Sequence, residues 1–308
     1  MTRKTFIRKL SGLFRKSGRV QRVCLEVRPD GIAWAETAAQ PSTGFAECSP
    51  AKRTRALQEL ATRRGWAGAA TTLVLPLDQY QVFQMERPDG IDDAELGDAL
   101  KWKLKDLLDF SPSDAVSDVF PFPEDASRGR GDLVNVVAAR KSLVRELVNL
   151  VQGCGLELEQ IDIAELALSN LVSVLDRNNR GAALVHLREH YGQMVVCRDD
   201  TLYLSRRLDV TAEDLRDAAR QETAVQSLAL EMQRSLDYYE SQLGQVPPAV
   251  INLVARDTSL PLASMVSSYV AAGVDMLDWS EVGLDKPLDS RCLPAWSASL
   301  TSGQREAA

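Results

Sequence analysis

The alternation of apolar and polar positions divides the chain into short strands and amphipathic helices that recur in one order. The run VCLEVRPDGIAWAE, from Val23 to Glu36, alternates toward a core on both sides of Pro29-Asp30-Gly31. That triplet is turn chemistry, so the run predicts a hairpin. SPAKRTRALQELATRRGW has a cap-type Ser49 and helical spacing, and predicts a helix ending near Gly65. ATTLVLP predicts a buried strand closed by Pro76, and YQVFQMER a half-buried one. In the latter, Tyr80, Val82, Gln84 and Glu86 share one face, while Gln81, Phe83 and Met85 share the other. DDAELGDALKWKLKDLL predicts an amphipathic helix with Leu96, Leu100, Leu104 and Leu107 on one stripe and Trp102 at its edge. A loop-rich stretch with one strand over residues 116–120 follows. Then come the β-branched strand LVNVVAAR, the helix KSLVRELVNLVQGCG with terminal glycines, the strand LELEQIDI and the helix AELALSNLVSVLD.

A second series begins near Gly181. AALVHLRE, GQMVVCRD and TLYLSRRL predict three successive strands, and AEDLRDAARQETAVQSLALEMQRSLDYYESQL one long helical region. PAVINLVA, LASMVSSYVAAG and VDMLDW predict strand, helix and strand, before a closing helical turn in LPAWSASL. Strand hairpins followed by helix–strand alternation therefore occur twice. This predicts an α/β protein of two related halves, residues 21–180 and 181–300, the first carrying an insertion at about 78–140. Residues 301–308 are expected to form a disordered tail.

Composition narrows the classes. With 308 residues, 45% apolar and 26% charged, the chain has the make-up of a globular protein with ample core. No apolar run approaches the roughly 18 residues needed to span a bilayer. The net charge of -7 is uneven: the first 22 residues hold eight basic side chains and no acid, which leaves -15 on the rest. An acidic body argues against general nucleic-acid binding, where phosphate attraction supplies most of the affinity. The five cysteines are scattered without a CxxC pair, the pattern of reduced thiols in a cytosolic setting.

In residues 1–20, Phe6, Ile7, Leu10, Leu13 and Phe14 form one apolar helical stripe opposite Arg and Lys. The segment lacks the continuous apolar stretch of a secretory signal. It suits a short interfacial helix on an anionic membrane, and equally a partner-docking helix or a solvated basic tail; a transit peptide is compositionally allowed.

Three long stretches carry a resemblance: YQVFQMERPDGIDDAELGDALKWKLKDLLDFSPSDAVSDVF, then VNVVAARKSLVRELVNLVQGCGLELEQIDIAELALSNL, then LYLSRRL with LEMQRSLDYYES. Together they resemble the PilM/MshI family of actin-like, FtsA-like cytoplasmic proteins of type IV pilus assembly, whose MshI branch serves mannose-sensitive haemagglutinin (MSHA) pili. The resemblance implies an actin-like ATPase fold, two RNase-H-like halves that enclose ATP, and an FtsA-like small subdomain at the insertion. It also implies a cytoplasmic adaptor at the inner membrane, with a groove beside the insertion for the cytoplasmic tail of a PilN-like membrane partner.

The residues at the implied nucleotide positions depart from the family. Its phosphate loops carry Asp-x-Gly after a strand. CLEVRPDG places Glu26 at the Asp and Arg28 at the glycine; LVHLREHYG places His186 and Arg188 there. The late Gly-Gly pair corresponds to Ala255 and Arg256. Glycine leaves room for phosphate to approach the main chain, and Asp sets a carboxylate at the depth that suits Mg²⁺ or its water shell. Losing both removes the main electrostatic support of phosphoryl transfer, so the chain is expected not to be an enzyme and to need neither ATP nor Mg²⁺. The alternative is an ATP-binding or ATP-hydrolysing switch of the same machinery. Two arrangements of the cations are open: Arg28, Arg188 and Arg256 converge as an anion clamp, or they pair with Glu26, Asp30 and Glu189.

Glu231, Arg234 and Ser235 match family positions near the nucleoside, and equally belong to a structural helix with Leu236, Tyr239 and Leu243 toward the core. His186 and His190 have H-x-x-x-H spacing but fall across a strand end and turn, so no metal site is expected. Val82, Phe83 and Trp102 are the candidates for the partner-tail groove, against ordinary packing of strand and helix.

Overall fold

The computed structural model describes residues 21–37, 42–129, 131–177, 179–256 and 260–300. The apolar stripe Phe6–Phe14 and the tail beyond residue 300 lie outside the described residues. The chain divides into two compact units, one of Met1–Phe122, Arg130–Ala167 and Pro294–Ser299, the other of Pro123–Gly129, Leu168–Leu293 and Leu300–Ala308.

The first unit runs β1 (Arg22–Arg28), β2 (Gly31–Thr37), β3 (Ser42–Glu47), α1 (Arg53–Arg64) and β4 (Ala70–Leu75). An insertion then carries β5 (Tyr80–Glu86), α2 (Asp93–Lys101), β6 (Ala115–Pro121) and β7 (Leu133–Arg140). The chain resumes with α3 (Lys141–Gly153) and β8 (Glu157–Ile163), and α4 (Ala164–Leu175) begins in this unit and continues from Leu168 as part of the second. The main sheet has the order β3-β2-β1-β4-β8. Its first three strands are antiparallel, whereas β4 and β8 run parallel to β1.

The second unit repeats the plan with β9 (Ala182–Leu187), β10 (Gly192–Arg198), β11 (Thr201–Leu208), α5 (Ala212–Arg216), α6 (Gln221–Ser241), β12 (Val250–Val254), α7 (Leu262–Ser267) and β13 (Gly273–Met276). The helix α8 (Leu293–Ser299) closes the described chain. The order β11-β10-β9-β12-β13, with the same strand directions, reproduces the first sheet position for position. Both central strands are buried along nearly their whole length, as strands covered on two faces must be.

Three local expectations need correction. The third strand, β3, is not predicted by the pattern, because Gly44 interrupts its alternation. A Cβ there would stand 2.6 Å from the Trp34 ring, so glycine marks a close approach within the sheet. The long helix divides at Asp217, whose carboxylate accepts from Ala219 N–H (2.9 Å) and Arg220 Nε (2.7 Å). That local bonding competes with the helical ladder. Ser49 precedes a 3-10 turn over Pro50–Lys52 and makes no side-chain cap. The predicted stop at Gly65 is present: the residue takes φ 70° and its N–H reaches back to the last turn of α1.

The insertion is a three-stranded antiparallel sheet, β5-β7-β6, with α2 across one face. Leu96, Leu100 and Leu104 are fully buried against Val119, Val134, Val136 and Ala138. The helix tightens to a 3-10 turn at Trp102–Leu104, which shifts the phase of the stripe. Leu107 is consequently exposed, and Leu108 packs against the core instead. Gly97 lets α2 touch β6: a Cβ would lie 2.7 Å from the Ser117 carbonyl, and Ser117 Oγ donates to the Gly97 carbonyl (2.9 Å). Gly97→Ala gains helix propensity but overpacks this contact, so it is expected to destabilise the protein by about 1–3 kcal/mol. Urea unfolding of the two proteins checks the sign, since propensity alone predicts a gain.

Candidate functional site

The two sheets identify equivalent positions without reference to motif. Across the parallel ladders Glu26 pairs with Val74 and His186 with Val254, so both sit at the same register of their sheets. Two residues further on stand Arg28 and Arg188. Each sheet thus carries an ionisable residue and then an arginine at one strand end, and all four are less than 8% exposed.

In the first unit Arg28 and Gly31 close a hairpin of two turn residues. Arg28 Nε and Nη2 donate to the two carboxylate oxygens of Asp30 at 2.9 and 3.2 Å, a bidentate pair within the turn. The guanidinium lies 5.5 Å from the Phe45 ring centroid. Arg53 Nη2 donates to the Arg28 carbonyl (2.8 Å), and Gln79 Nε2 to that of Val27 (3.4 Å).

In the second unit the Arg188 N–H donates to the Tyr191 carbonyl (2.8 Å) and closes the turn. Its guanidinium is 5.3 Å from the Tyr191 ring centroid, and Arg207 lies 4.4 Å from the same ring. Glu189 accepts from Arg216 at 2.9 and 3.3 Å and has Arg256 Nη1 at 3.7 Å. The Arg216 bond, with Arg256 adding its charge, holds this carboxyl below its usual range against the opposing effect of burial. His186 Nε2 lies 2.9 Å from the Ser290 carbonyl, which only accepts, so that nitrogen carries the proton. Among the described residues no group of three His, Cys, Asp or Glu side chains is placed to hold a metal ion.

Arg28 therefore pairs with Asp30, Arg256 with Glu189, and Arg188 stacks on Tyr191. Ala255 and Arg256 follow the end of β12. Glu231 on α6 accepts from Arg234 (2.9 Å) and from Arg206 of β11 (2.8 Å), a tie between helix and sheet. Leu236, Tyr239 and Leu243 are buried beneath it.

The three groove candidates do not share a surface. Phe83 packs into the insertion core with Met85, beneath α2. Val82 points to the opposite face of β5 at 36% exposure, and Trp102 is 62% exposed beyond α2. β5 is an edge of its sheet among the described residues.

Glu165, which no sequence motif marks, sits in the first turn of α4. The Tyr80 hydroxyl, at the root of the insertion, donates to its carboxylate and accepts from the Ala164 N–H (3.1 Å). Burial, reinforced by the nearby Asp162 and opposed by the Tyr80 bond, pushes the Glu165 carboxyl up to about 7.

Solved structures of similar shape support one conclusion about the backbone. A chain of a PilM-PilN type IV pilus biogenesis complex superposes with a TM-score of 0.69 at 18% identity, covering 94% of this chain and 99% of that one. The cytoplasmic domain of EpsL, an inner-membrane component of the type II secretion system of Vibrio cholerae, gives 0.56 at 13% identity, covering 92% and 96%. A Bacteroides thetaiotaomicron protein described as having an actin-like ATPase fold gives 0.54 at 9%, covering 89% and 95%. The chain has the actin-like ATPase fold. No family model and no curated protein sequence matches it.

A phosphate brought to either strand end would meet an arginine side chain, Arg28 or Arg188, before open main chain. A phosphate cradle needs open main chain, whereas here buried arginine side chains occupy both positions. The Arg28 guanidinium is engaged by a carboxylate in its own turn, and the second sheet offers an Nε2-protonated imidazole in place of an oxygen ligand.

The Glu165 shift has a defined sign. The folded protein retains a proton that the unfolded chain releases above about pH 4.5. That stabilisation is complete below the unfolded value and declines by up to about 1.4 kcal/mol per pH unit until the pH passes the folded value near 7. Glu165→Gln is expected to flatten the decline and to be more stable than the parent at pH 8. Denaturant midpoints at pH 5, 6.5 and 8 measure this; parallel profiles would contradict it.

Proposed function

We propose that this protein is a nucleotide-independent adaptor at the cytoplasmic face of an inner-membrane assembly platform, of the type IV pilus class and its MSHA branch. Its partner would be the cytoplasmic tail of a PilN-like membrane protein. The observation that carries the reading is the presence of buried arginines, Arg28 and Arg188, at equivalent strand ends of an actin-like fold. A chain that keeps the fold while filling both phosphate positions has its remaining use in its surface.

Support for the partner comes from the likeness in shape to the PilM-PilN complex, together with the open edge of β5. An extended tail gains main-chain hydrogen bonds by adding to such an edge, with alternate side chains supplying selectivity. Val82 is the exposed apolar residue on that strand. Titration of the full chain with a peptide of the PilN-like tail is expected to give saturable binding that Mg-ATP leaves unchanged. Val82→Asp is expected to weaken it about tenfold, equivalent to about 1.4 kcal/mol. Failure of the peptide to bind, or binding only with Mg-ATP, would refute the adaptor reading; the second result would favour a nucleotide switch.

A further inference from the structure

We propose that the tip of the insertion, residues 102–107, is a docking surface for an anionic lipid bilayer. Trp102 and Leu107 are 62% and 55% exposed, far beyond what an unpartnered Trp needs. Between them Leu104 is fully buried in the insertion core and roots the segment. The 3-10 turn at Trp102–Leu104 keeps that anchor inward, while Trp102, Lys103, Lys105 and Leu107 remain on the solvent side.

Charge decides the occupant. Lys101, Lys103 and Lys105 alternate along the chain with Trp102 and Leu104, and the Lys101 ammonium lies 5.7 Å from the indole centroid and 3.1 Å from Asp98. Lys103 and Lys105 make no ion pair among the described residues, and Asp109 is held by Arg140. Asp106 is the one acid in the sequence from 101 to 108. This lysine cluster stands out on a body of net charge -15. Protein–protein contact centres are depleted in lysine, whereas an amphipathic indole at headgroup depth beside lysines is the chemistry of an anionic bilayer surface. One such tip binds weakly and reversibly, and it gains strength beside any second attachment.

The other tryptophans make the test specific. Trp34, Trp66 and Trp296 are buried, Trp279 is half-buried, and residues 1–20 contain no Trp. The full chain is mixed with vesicles of phosphatidylcholine alone, or with one quarter phosphatidylglycerol, each carrying brominated acyl chains that quench indole emission. Quenching is expected with anionic vesicles only, to be lost in Trp102→Phe, and to need about tenfold more lipid in the Lys103→Glu/Lys105→Glu variant. These substitutions are at exposed positions and are expected to leave the fold intact, which circular dichroism checks. Absence of binding, binding without Trp102 quenching (the mark of attachment through the basic front segment alone), or equal quenching on neutral vesicles would each overturn the proposal. So would a Trp102 response confined to the PilN-like tail peptide.

Discussion

A guanidinium folded back onto its own turn is the charge around which the strand end of the first sheet is built. Arg28 is nearly buried, and a buried cation without a partner is among the most destabilising features a fold can hold. Asp30 supplies that partner two residues away, with bidentate geometry and with Phe45 against the guanidinium. The hairpin, the third strand and the helix that contributes Arg53 are thereby tied to one charge pair. The second sheet reaches the same end by other means: Arg188 lies on Tyr191, while Glu189 draws in Arg216 and Arg256. Different chemistry therefore fills the same register of the two sheets.

Much of the architecture was legible in the sequence because it rests on local periodicity. Strands such as LVNVVAAR and VCLEV announce themselves by β-branched or alternating residues, and the repeat of strands then helices predicted two related halves. What escaped depends on contacts distant in sequence or on small changes of phase. β3 hides behind Gly44, whose reason is the Trp34 ring on the neighbouring strand. Leu107 left its stripe because a few residues wound more tightly. Glu165 resembled an ordinary helix-start acid; its environment is set by Tyr80, 85 residues earlier.

The site was legible in part for the same reason. Motif spacing points to both strand ends, and the ladders show that Glu26 and His186 occupy equivalent registers of the two sheets. The sequence left open whether the arginines converge or pair, because that choice depends on side-chain geometry. The alternation of β5 separates Val82 from Phe83 in the sequence itself, but that Phe83 is the one taken into the insertion core depends on where α2 lies.

The central claim is that the phosphate positions are closed. Amide hydrogen exchange of the full chain, with and without saturating Mg-ATP, probes it directly at residues 24–32 and 184–192. The account predicts superimposable exchange in both turns. Protection of either turn by Mg-ATP, lost when EDTA removes the metal, would contradict it.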